Sequence, residues 1–273
     1  MRINGYRQFL NMKPFFSILL VSLFCFQNVN AQHTQEMAGG KGVLYMGFGT
    51  NLSFYSKSDL HFHSSDFDFT LYKVRGKDDG GLKFDGGGAA QYSYQVGYYF
   101  KKKNFGIEFN FDHIKYFVRQ NQVVHLKGSI KGQSYDTDTT LTPNFIQFEH
   151  SDGANYALFN FVKWKNLWVG KNPAHVLDLV FKAGAGPVIP KTNSTIAAGN
   201  EVGKHRDDTY KISGFVMAVE GGVRYTFAKH FYVMPSVKGA YADYTHFVIK
   251  DGYGNQHWFA AHINLLIGAQ VNL

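Results

Sequence analysis

The sequence predicts an all-β protein, an eight-stranded antiparallel up-and-down β-barrel that crosses a membrane, with short turns at one end and long loops at the other. Apolar and polar residues alternate with a period of two over most of the chain, and the connections are alternately long and short. Bulky apolar residues share one face of the strands and glycines share the other. Because an eight-stranded barrel has an interior barely wide enough for side chains, this distribution indicates an outer face in lipid.

The first 31 residues are predicted to be a signal peptide that is cleaved on export. A basic start is followed by apolar residues 15–26 and by a small-residue cleavage site that ends at Ala31. The signal is already complete from Met12, so translation could begin at Met1 or at Met12. Residues 32–273 are then expected to form one barrel domain.

Composition excludes several classes of function. Beyond the signal peptide the sequence has no run of about 18 apolar residues, which excludes a helical membrane protein. Loss of the signal peptide reduces the formal charge from +8 to +5 and removes Cys25, the single cysteine. The remaining positive charge could favour anionic lipid headgroups but is too diffuse for nucleic acid. Gly184-Ala185-Gly186 is not a phosphate loop, because it lies in a strand and lacks a following lysine and helix. No cofactor is expected.

The strands are predicted in chain order from this alternation. Their ranges are 43–56, 89–100, 105–127, 145–164, 177–186, 214–227, 231–248 and 257–273. The last is the most regular, since every second residue from Phe259 to Leu273 is apolar. The fourth is the least regular, and we expect Phe159 and Phe161 outward with Asn160 inward. Pro235 argues against full pairing of the seventh strand.

The connections are also predicted from the sequence. Long loops are expected at 57–88, 128–143 and 187–209, and the first carries an alternating hairpin around Phe69. Short turns are expected at 101–104, 165–174 and 228–230. The aromatic residues around these turns are predicted to form a girdle at the membrane interface; they are Phe100, Phe105, Trp164, Trp168, Tyr225, Phe227 and Phe231.

Charged and polar side chains on the inward face are the main candidate site. The predicted set is Glu108, Asp112, Asp178, Lys182, Glu220, Arg224, Lys238, His262, Asn264 and Gln270. Two acid–base pairs four residues apart, one on the fifth strand and one on the sixth, share that face. Because an unpaired buried charge costs several kcal/mol, the groups are expected to pair and to close the lumen. A gated path for small ions is the alternative, since the lumen is too narrow for larger solutes.

A catalytic alternative involves His150, Ser151 and Asp152. Their segment resembles the His-x-Ser-Asn segment of the lipid A deacylase barrels, in which an imidazole activates a hydroxyl. In that family the two residues are two apart on one face. Here His150 and Ser151 are adjacent, and adjacent strand side chains point to opposite faces, so the resemblance does not carry the dyad over.

A metal alternative involves four residues of the first long loop. His61 and His63 are two apart, and Asp66 and Asp68 follow, so imidazole and carboxylate ligands could meet at the surface. The same spacing is common in solvated strand and loop segments, which is the interpretation we favour.

Through this architecture the mature chain resembles the small eight-stranded outer-membrane barrels of the OmpA transmembrane-domain and OmpX kind. The resemblance implies a location in the cell outer membrane, contact with its lipid and lipopolysaccharide, and insertion by the barrel assembly machinery. It also implies a non-enzymatic structural or surface-interaction role through the long loops, whose ligand the sequence does not identify. A lipid A-modifying enzyme and a small-ion pore remain as alternatives.

Overall fold

Antiparallel strands make up about three quarters of the part of the chain that the computed structural model describes, residues 41–78, 91–150, 152–196, 205–206, 209–249 and 251–273. The strands in this part of the chain are β1 Gly42–Tyr55, β2 Ser58–Ser64, β3 Phe67–Val74, β4 Gly76–Lys77, β5 Tyr92–Phe100, β6 Phe105–His113, β7 Tyr116–Val118, β8 Val123–Ile130, β9 Gln133–Thr140, β10 Ile146–His150, β11 Tyr156–Val169, β12 Val176–Pro187, β13 Asn193–Ile196, β14 His205–Arg206, β15 Gly214–Phe227, β16 Phe231–Ile249 and β17 Gly252–Asn272. A 3-10 turn spans Lys101–Lys103. None of the described helical segments is long and apolar enough to cross a bilayer. The predicted signal peptide lies outside the described residues.

Eight of the strands close into a ring, which confirms the predicted antiparallel up-and-down barrel. The order around the ring is β1, β5, β6, β11, β12, β15, β16 and β17. The ring closes where β17 pairs with β1, from Val43 opposite Asn272 to Tyr55 opposite Ala260. Short connections at 101–104, 170–175 and 228–230 lie at one end, which we call the turn end. The opposite end is called the loop end.

Bulky apolar side chains cover the outer face of the barrel wall and glycines lie on the inner face as predicted, although large rings such as Tyr232 also point inward. Large apolar side chains such as Phe159 and Ile263 are 65% and 52% exposed on the outside. Inside, a Cβ added to Gly47 would lie 2.5 Å from the Tyr232 hydroxyl, so this glycine makes room for an inward ring. Gly268, which is opposite Gly47 in the β1–β17 ladder, makes room for the same ring.

Three predicted strands were wrong in extent. The eighth was expected to start at His257, but β17 starts at Gly252. The third was expected to run to Lys127, but β6 ends at His113 and the chain leaves the barrel through β7 and β8. The fourth was expected to start at Phe145, but β10 lies in the loop region and the barrel strand β11 starts at Tyr156. The alternation continues through these segments because the loop strands also have one buried face.

Pro235 lies within β16, and its effect on pairing is local. The β15–β16 register runs from Gly222 opposite Ser236 to Tyr225 opposite Val233, with no paired residues between them. Proline has no amide hydrogen to donate to a ladder. Pairing of β16 with β17 continues through Pro235, which lies opposite Leu265.

At the loop end the connections fold into an assembly of two sheets, which we call the cap. The first residues of β17 extend beyond the ring and pair with β2, from Gly252 opposite Ser64 to Gln256 opposite Leu60. This sheet continues through β3, β8 and β9. A second sheet has the order β14, β13, β10, β7 and β4. The predicted hairpin around Phe69 is the β2–β3 pair of the first sheet.

The cap has an apolar core that is rich in aromatic rings. Phe62 on β2 packs edge-on against Phe148 on β10, with ring centroids 5.3 Å apart, and this contact joins the two sheets. Tyr116 on β7 stacks on Trp258 of β17 at 4.7 Å. All four side chains are buried. Because the burial of large rings stabilises a core strongly, the cap is packed as a small domain rather than as a set of separate loops.

If the outer face of the barrel contacts lipid, Ile263→Arg will destabilise the protein and Val123→Arg will not. Both positions hold exposed aliphatic residues, but Ile263 is near the middle of the barrel wall and Val123 is on the cap. An arginine at the bilayer midplane costs about 2–4 kcal/mol, whereas a surface substitution changes stability by about 0.5 kcal/mol or less. Denaturant unfolding in lipid vesicles measures both effects. Equal losses for the two variants would contradict the lipid-facing assignment.

Candidate functional site

The predicted inward residues converge on the lumen, with one exception. The buried members are Glu108, Asp112, Lys182, Glu220, Arg224, Lys238, His262, Asn264 and Gln270. Asp178 lies nearer the turn end and is only partly buried, and its Oδ1 accepts a hydrogen bond from Asn166 at 3.1 Å. The buried groups form three layers along the barrel axis.

The middle layer is a set of shared ion pairs, which we call the lumen network: Glu108, Asp112, Lys182, Glu220 and Lys238. Lys182 Nζ lies 3.0 Å from Glu108 Oε1 and 3.5 Å from Glu220 Oε1. Lys238 Nζ lies 2.5 Å from Asp112 Oδ2 and 3.4 Å from Glu220 Oε2. Glu220 therefore joins the two lysines, and the five side chains bridge the lumen from β6 to β12, β15 and β16.

Neutral groups complete the coordination of these charges. Lys182 also donates to Gln95 Oε1 at 2.6 Å, and Lys238 donates to Asn110 Oδ1 at 2.6 Å. Glu220 accepts a hydrogen bond from Ser236 at 2.7 Å. Buried ions are tolerated when both the charge and the remaining hydrogen-bonding positions are satisfied.

The layer at the turn end is built around Arg224. Its guanidinium carbon lies 4.0 Å from the ring centroid of Tyr232, 4.2 Å from Trp164 and 5.3 Å from Tyr45. Nη2 donates to Gln270 Oε1 at 2.5 Å. Because aromatic faces are electron-rich, rings on several sides stabilise a cation that has been removed from water.

The partners in these layers come from different strands, some adjacent and some across the lumen, although the sequence suggested pairs along one strand. Residues four apart on a strand share a face, but they are separated by about 13 Å, too far for an ion pair. Lys182 instead lies opposite Glu220 in the β12–β15 register, and Glu220 lies opposite Lys238 in the β15–β16 register. Trp164, predicted to lie in the outer girdle, points inward and stacks on Arg224.

The layer at the loop end is polar but lacks the lysine and glutamate pairs. His262 Nδ1 is 2.8 Å from Ser53 Oγ, and the two residues are opposite each other in the β1–β17 register. Asn264 Nδ2 is 3.4 Å from Ser236 Oγ. Above them the Ser53 amide donates to the Asp78 carboxylate at 2.5 Å, so a residue from the first loop contacts this layer.

His150, one of the three weak catalytic candidates, is enclosed by the cap core. It stacks on Tyr244 at 5.3 Å and meets Phe148 edge-on at 5.0 Å, and its Nδ1 is 2.9 Å from Thr192 Oγ1. Burial lowers the pKa of His150 to about 3, because the charged imidazolium would be desolvated. Asp152 pairs with Lys191 at 3.2 Å, and Ser151 lies outside the described residues.

The four weak metal candidates are only partly brought together. His61 Nε2 and His63 Nδ1 lie 2.8 Å and 3.1 Å from the two oxygens of Asp68, on the outer face of the cap. The hydrogen bond from His61 is the main reason that the pKa of Asp68 lies below its usual value. Asp66 is in the turn after β2, where its backbone amide donates a hydrogen bond to Ser64 Oγ. In the described part of the chain, no group of three or more histidine, cysteine or acidic residues could hold a metal ion.

A closed ring of eight strands encloses charged groups and presents apolar residues outward. The fold is a closed eight-stranded antiparallel β-barrel with an apolar outer wall. Solved structures with detectable similarity include the N-terminal barrel of Pseudomonas aeruginosa OprF (13% identity, 86% of this chain and 100% of that one, TM-score 0.32) and Neisserial surface protein A (6%, 85% and 99%, 0.34). The Escherichia coli outer membrane protease OmpT is similar over 87% of this chain and 100% of its own (10% identity, TM-score 0.38). No protein-family model and no curated protein matches the sequence.

The lumen network contains three carboxylates and two lysines, and this charge balance predicts which substitutions destabilise the protein most. Lys238→Met leaves three buried acids with one lysine and is expected to cost about 3–5 kcal/mol, as for removal of one partner from a buried pair. Glu220→Gln leaves two acids with two lysines, each lysine keeping a carboxylate partner, and is expected to cost much less. Denaturant unfolding of both variants in the same lipid vesicles compares them. A larger loss for Glu220→Gln would show that the groups are not paired as described.

The burial of His150 predicts that the free energy of opening the cap depends on pH. The folded cap keeps His150 neutral, whereas an opened cap exposes an imidazole with a pKa of about 6.5. As the pH falls from 7 to 5 the opened state binds a proton that the folded state cannot, so the opening free energy should fall by about 2 kcal/mol. Hydrogen exchange of the β7 and β10 amides measures this change. His150→Phe should flatten it, and an unchanged pH dependence in that variant would exclude His150 as the cause.

Proposed function

We propose that this chain is an exported, non-enzymatic outer-membrane barrel protein whose function resides on the outer surface of its cap. The observation that carries the proposal is the cap itself, in which two sheets share an apolar core. Loops that served only to connect barrel strands would not need to pack into a shared apolar core, which here continues into the loop end of the barrel at Tyr156 and Val216. A packed core fixes the positions of surface side chains, as a recognition surface requires.

The lumen supports a role at the surface rather than through the barrel. The lumen network and the Arg224 layer fill successive levels of the bore with paired or stacked charges. Passage of a solute would require these pairs to separate in a medium of low dielectric constant, at a cost of several kcal/mol for each charge.

A small-ion pore is a second candidate, favoured by one feature. Both lysines of the lumen network share Glu220, so a lysine could exchange one carboxylate partner for another without losing its pairing completely. Purified protein in planar bilayers separates the two candidates. The surface role predicts no conductance steps, and a pore predicts steps that Glu220→Gln changes.

Single cysteines test the orientation of the barrel, because the predicted mature chain contains none. Lys131→Cys places a thiol at the turn between β8 and β9, and Lys102→Cys places one at the turn end. In intact cells a membrane-impermeant maleimide should label the first and not the second, while both should react once the outer membrane is opened. Labelling of Lys102→Cys alone would place the cap in the periplasm and contradict the proposal.

The same cells test the enzymatic alternative. If the protein does not act on lipid A, mass spectra of lipid A from cells with and without the gene will be identical. A gene-dependent change in acyl chain number would replace the surface role by a lipid A-modifying activity.

A further inference from the structure

A groove of about 900 Å³ crosses the edge of the cap, where β2 begins, β3 ends and β8 begins. We call it the basic groove, because four of its lining side chains are cationic: Lys57, Lys73, Arg75 and Lys127. It is separate from the lumen network, which lies inside the barrel. No residue proposed from the sequence as a candidate site lines it.

Three of the four cations are available to bind a ligand. Lys57, Lys73 and Arg75 are exposed, and within the described ranges no side-chain hydrogen bond or ion pair engages them. Lys127 is already paired with Asp136 at 2.8 Å. The one acidic lining residue, Asp138, lies 3.0 Å from His125. The groove therefore carries an excess of positive charge, which attracts an anion.

Hydrogen bonds of the cap hold the backbone around these cations. The side chain of Gln122 accepts from the Arg75 amide at 2.9 Å and donates to the Arg75 carbonyl at 3.0 Å. The Arg119 amide donates to the same carbonyl at 3.0 Å. The Lys73 amide donates to Asp59 Oδ1 at 2.8 Å. A fixed backbone reduces the entropy that binding would otherwise remove.

The size and the other lining groups indicate the class of ligand. The pairing of Ser58 with Val74 brings Lys57 next to Lys73 and Arg75, whereas Lys127 lies farther along β3, opposite Thr70. A groove of about 900 Å³ is the size of a site for a drug-sized ligand rather than for a single phosphate. Tyr72 and Val123, which is 67% exposed, add apolar surface between the cations, and Asn121 adds an exposed amide. Sugar rings offer apolar C–H faces and hydroxyl groups together, which such a mixed surface can contact.

We propose that the basic groove binds an anionic oligosaccharide, a sugar chain that carries phosphate, sulfate or carboxylate groups. The proposal rests on the proposed function in that the cap must face the outside of the cell. The phosphorylated core of the cell's own lipopolysaccharide and a sulfated glycan of another cell surface share this chemistry. The test below distinguishes the two sources.

The test measures binding to purified, folded protein in detergent micelles, with heat-modifiable migration as the check on folding. Four probes are compared: a heparin-derived hexasaccharide, the phosphorylated core oligosaccharide of deacylated lipopolysaccharide, neutral maltohexaose and poly-glutamate. One variant combines Lys57→Gln, Lys73→Gln and Arg75→Gln. The matched control combines Lys102→Gln, Lys103→Gln and Lys171→Gln, which remove the same charge at the turn end.

We expect one or both anionic sugars to bind the unchanged protein. The groove variant should bind about tenfold more weakly, as expected when three exposed charge contacts are lost, and the control should bind as before. Binding should also weaken as salt is raised, because the contacts are exposed to solvent. The sugar that binds more tightly identifies the source.

The proposal is overturned if neither anionic sugar binds, if maltohexaose or poly-glutamate binds as tightly, or if the groove variant loses no more affinity than the control. Failure here is distinct from failure of the proposed function, which the cysteine labelling tests separately. Correct labelling without binding removes only the groove assignment. Binding with the cap in the periplasm removes only the role at the cell surface.

Discussion

The narrow bore of the barrel is the constraint on which the rest of the structure depends. Eight strands enclose room for side chains and little else. Each inward position must therefore hold a small residue, as at Gly47, or a large one that neighbouring small residues admit, as with Tyr232. Charges that enter this space have no bulk water, so Lys182, Lys238 and Glu220 share partners across three strands. The crowding of charged groups in the lumen follows from the number of strands.

The cap depends on a second constraint, which is the unequal length of the strands. Strands β16 and β17 have 19 and 21 residues, whereas β5 and β6 have nine each. The long hairpin rises beyond the ring and would expose unpaired edges there. Pairing of β2 with β17 covers one of these edges, and the sheet then continues to β9. Because edge strands recruit further strands, the extended hairpin provides the framework on which the loops become ordered.

Most of the barrel, but little of the cap or of the pairing in the lumen, could be predicted from the sequence. A period of two identifies strands and faces locally, so the ring and the inward position of Lys182 follow from it. It does not give register between strands, so Lys182 could not be matched with Glu108 across the lumen. It also cannot separate a strand that faces lipid from one buried in a cap, so the predicted third strand runs to Lys127 whereas β6 ends at His113. The alternation places Trp164 on the same inward face as Asn160, four residues before it on the strand. The girdle prediction for Trp164 used only its aromatic character and its position near a short turn, and it is therefore wrong.

One strand passes through all of these environments, and its residues mark the boundaries between them. On β17 the outward positions are polar at Asn255 and His257, and apolar from Phe259 onward. At the other end Ala269 lies opposite Phe231, next to the short turn after β15. The ten-residue interval from Phe259 to Ala269 spans roughly 34 Å along the strand, and about 26 Å along the axis for a tilt near 40°. This length is close to the apolar band of about 25 Å found on outer-membrane barrels. The outward residues of this strand therefore mark the height at which the polar cap begins, between His257 and Phe259.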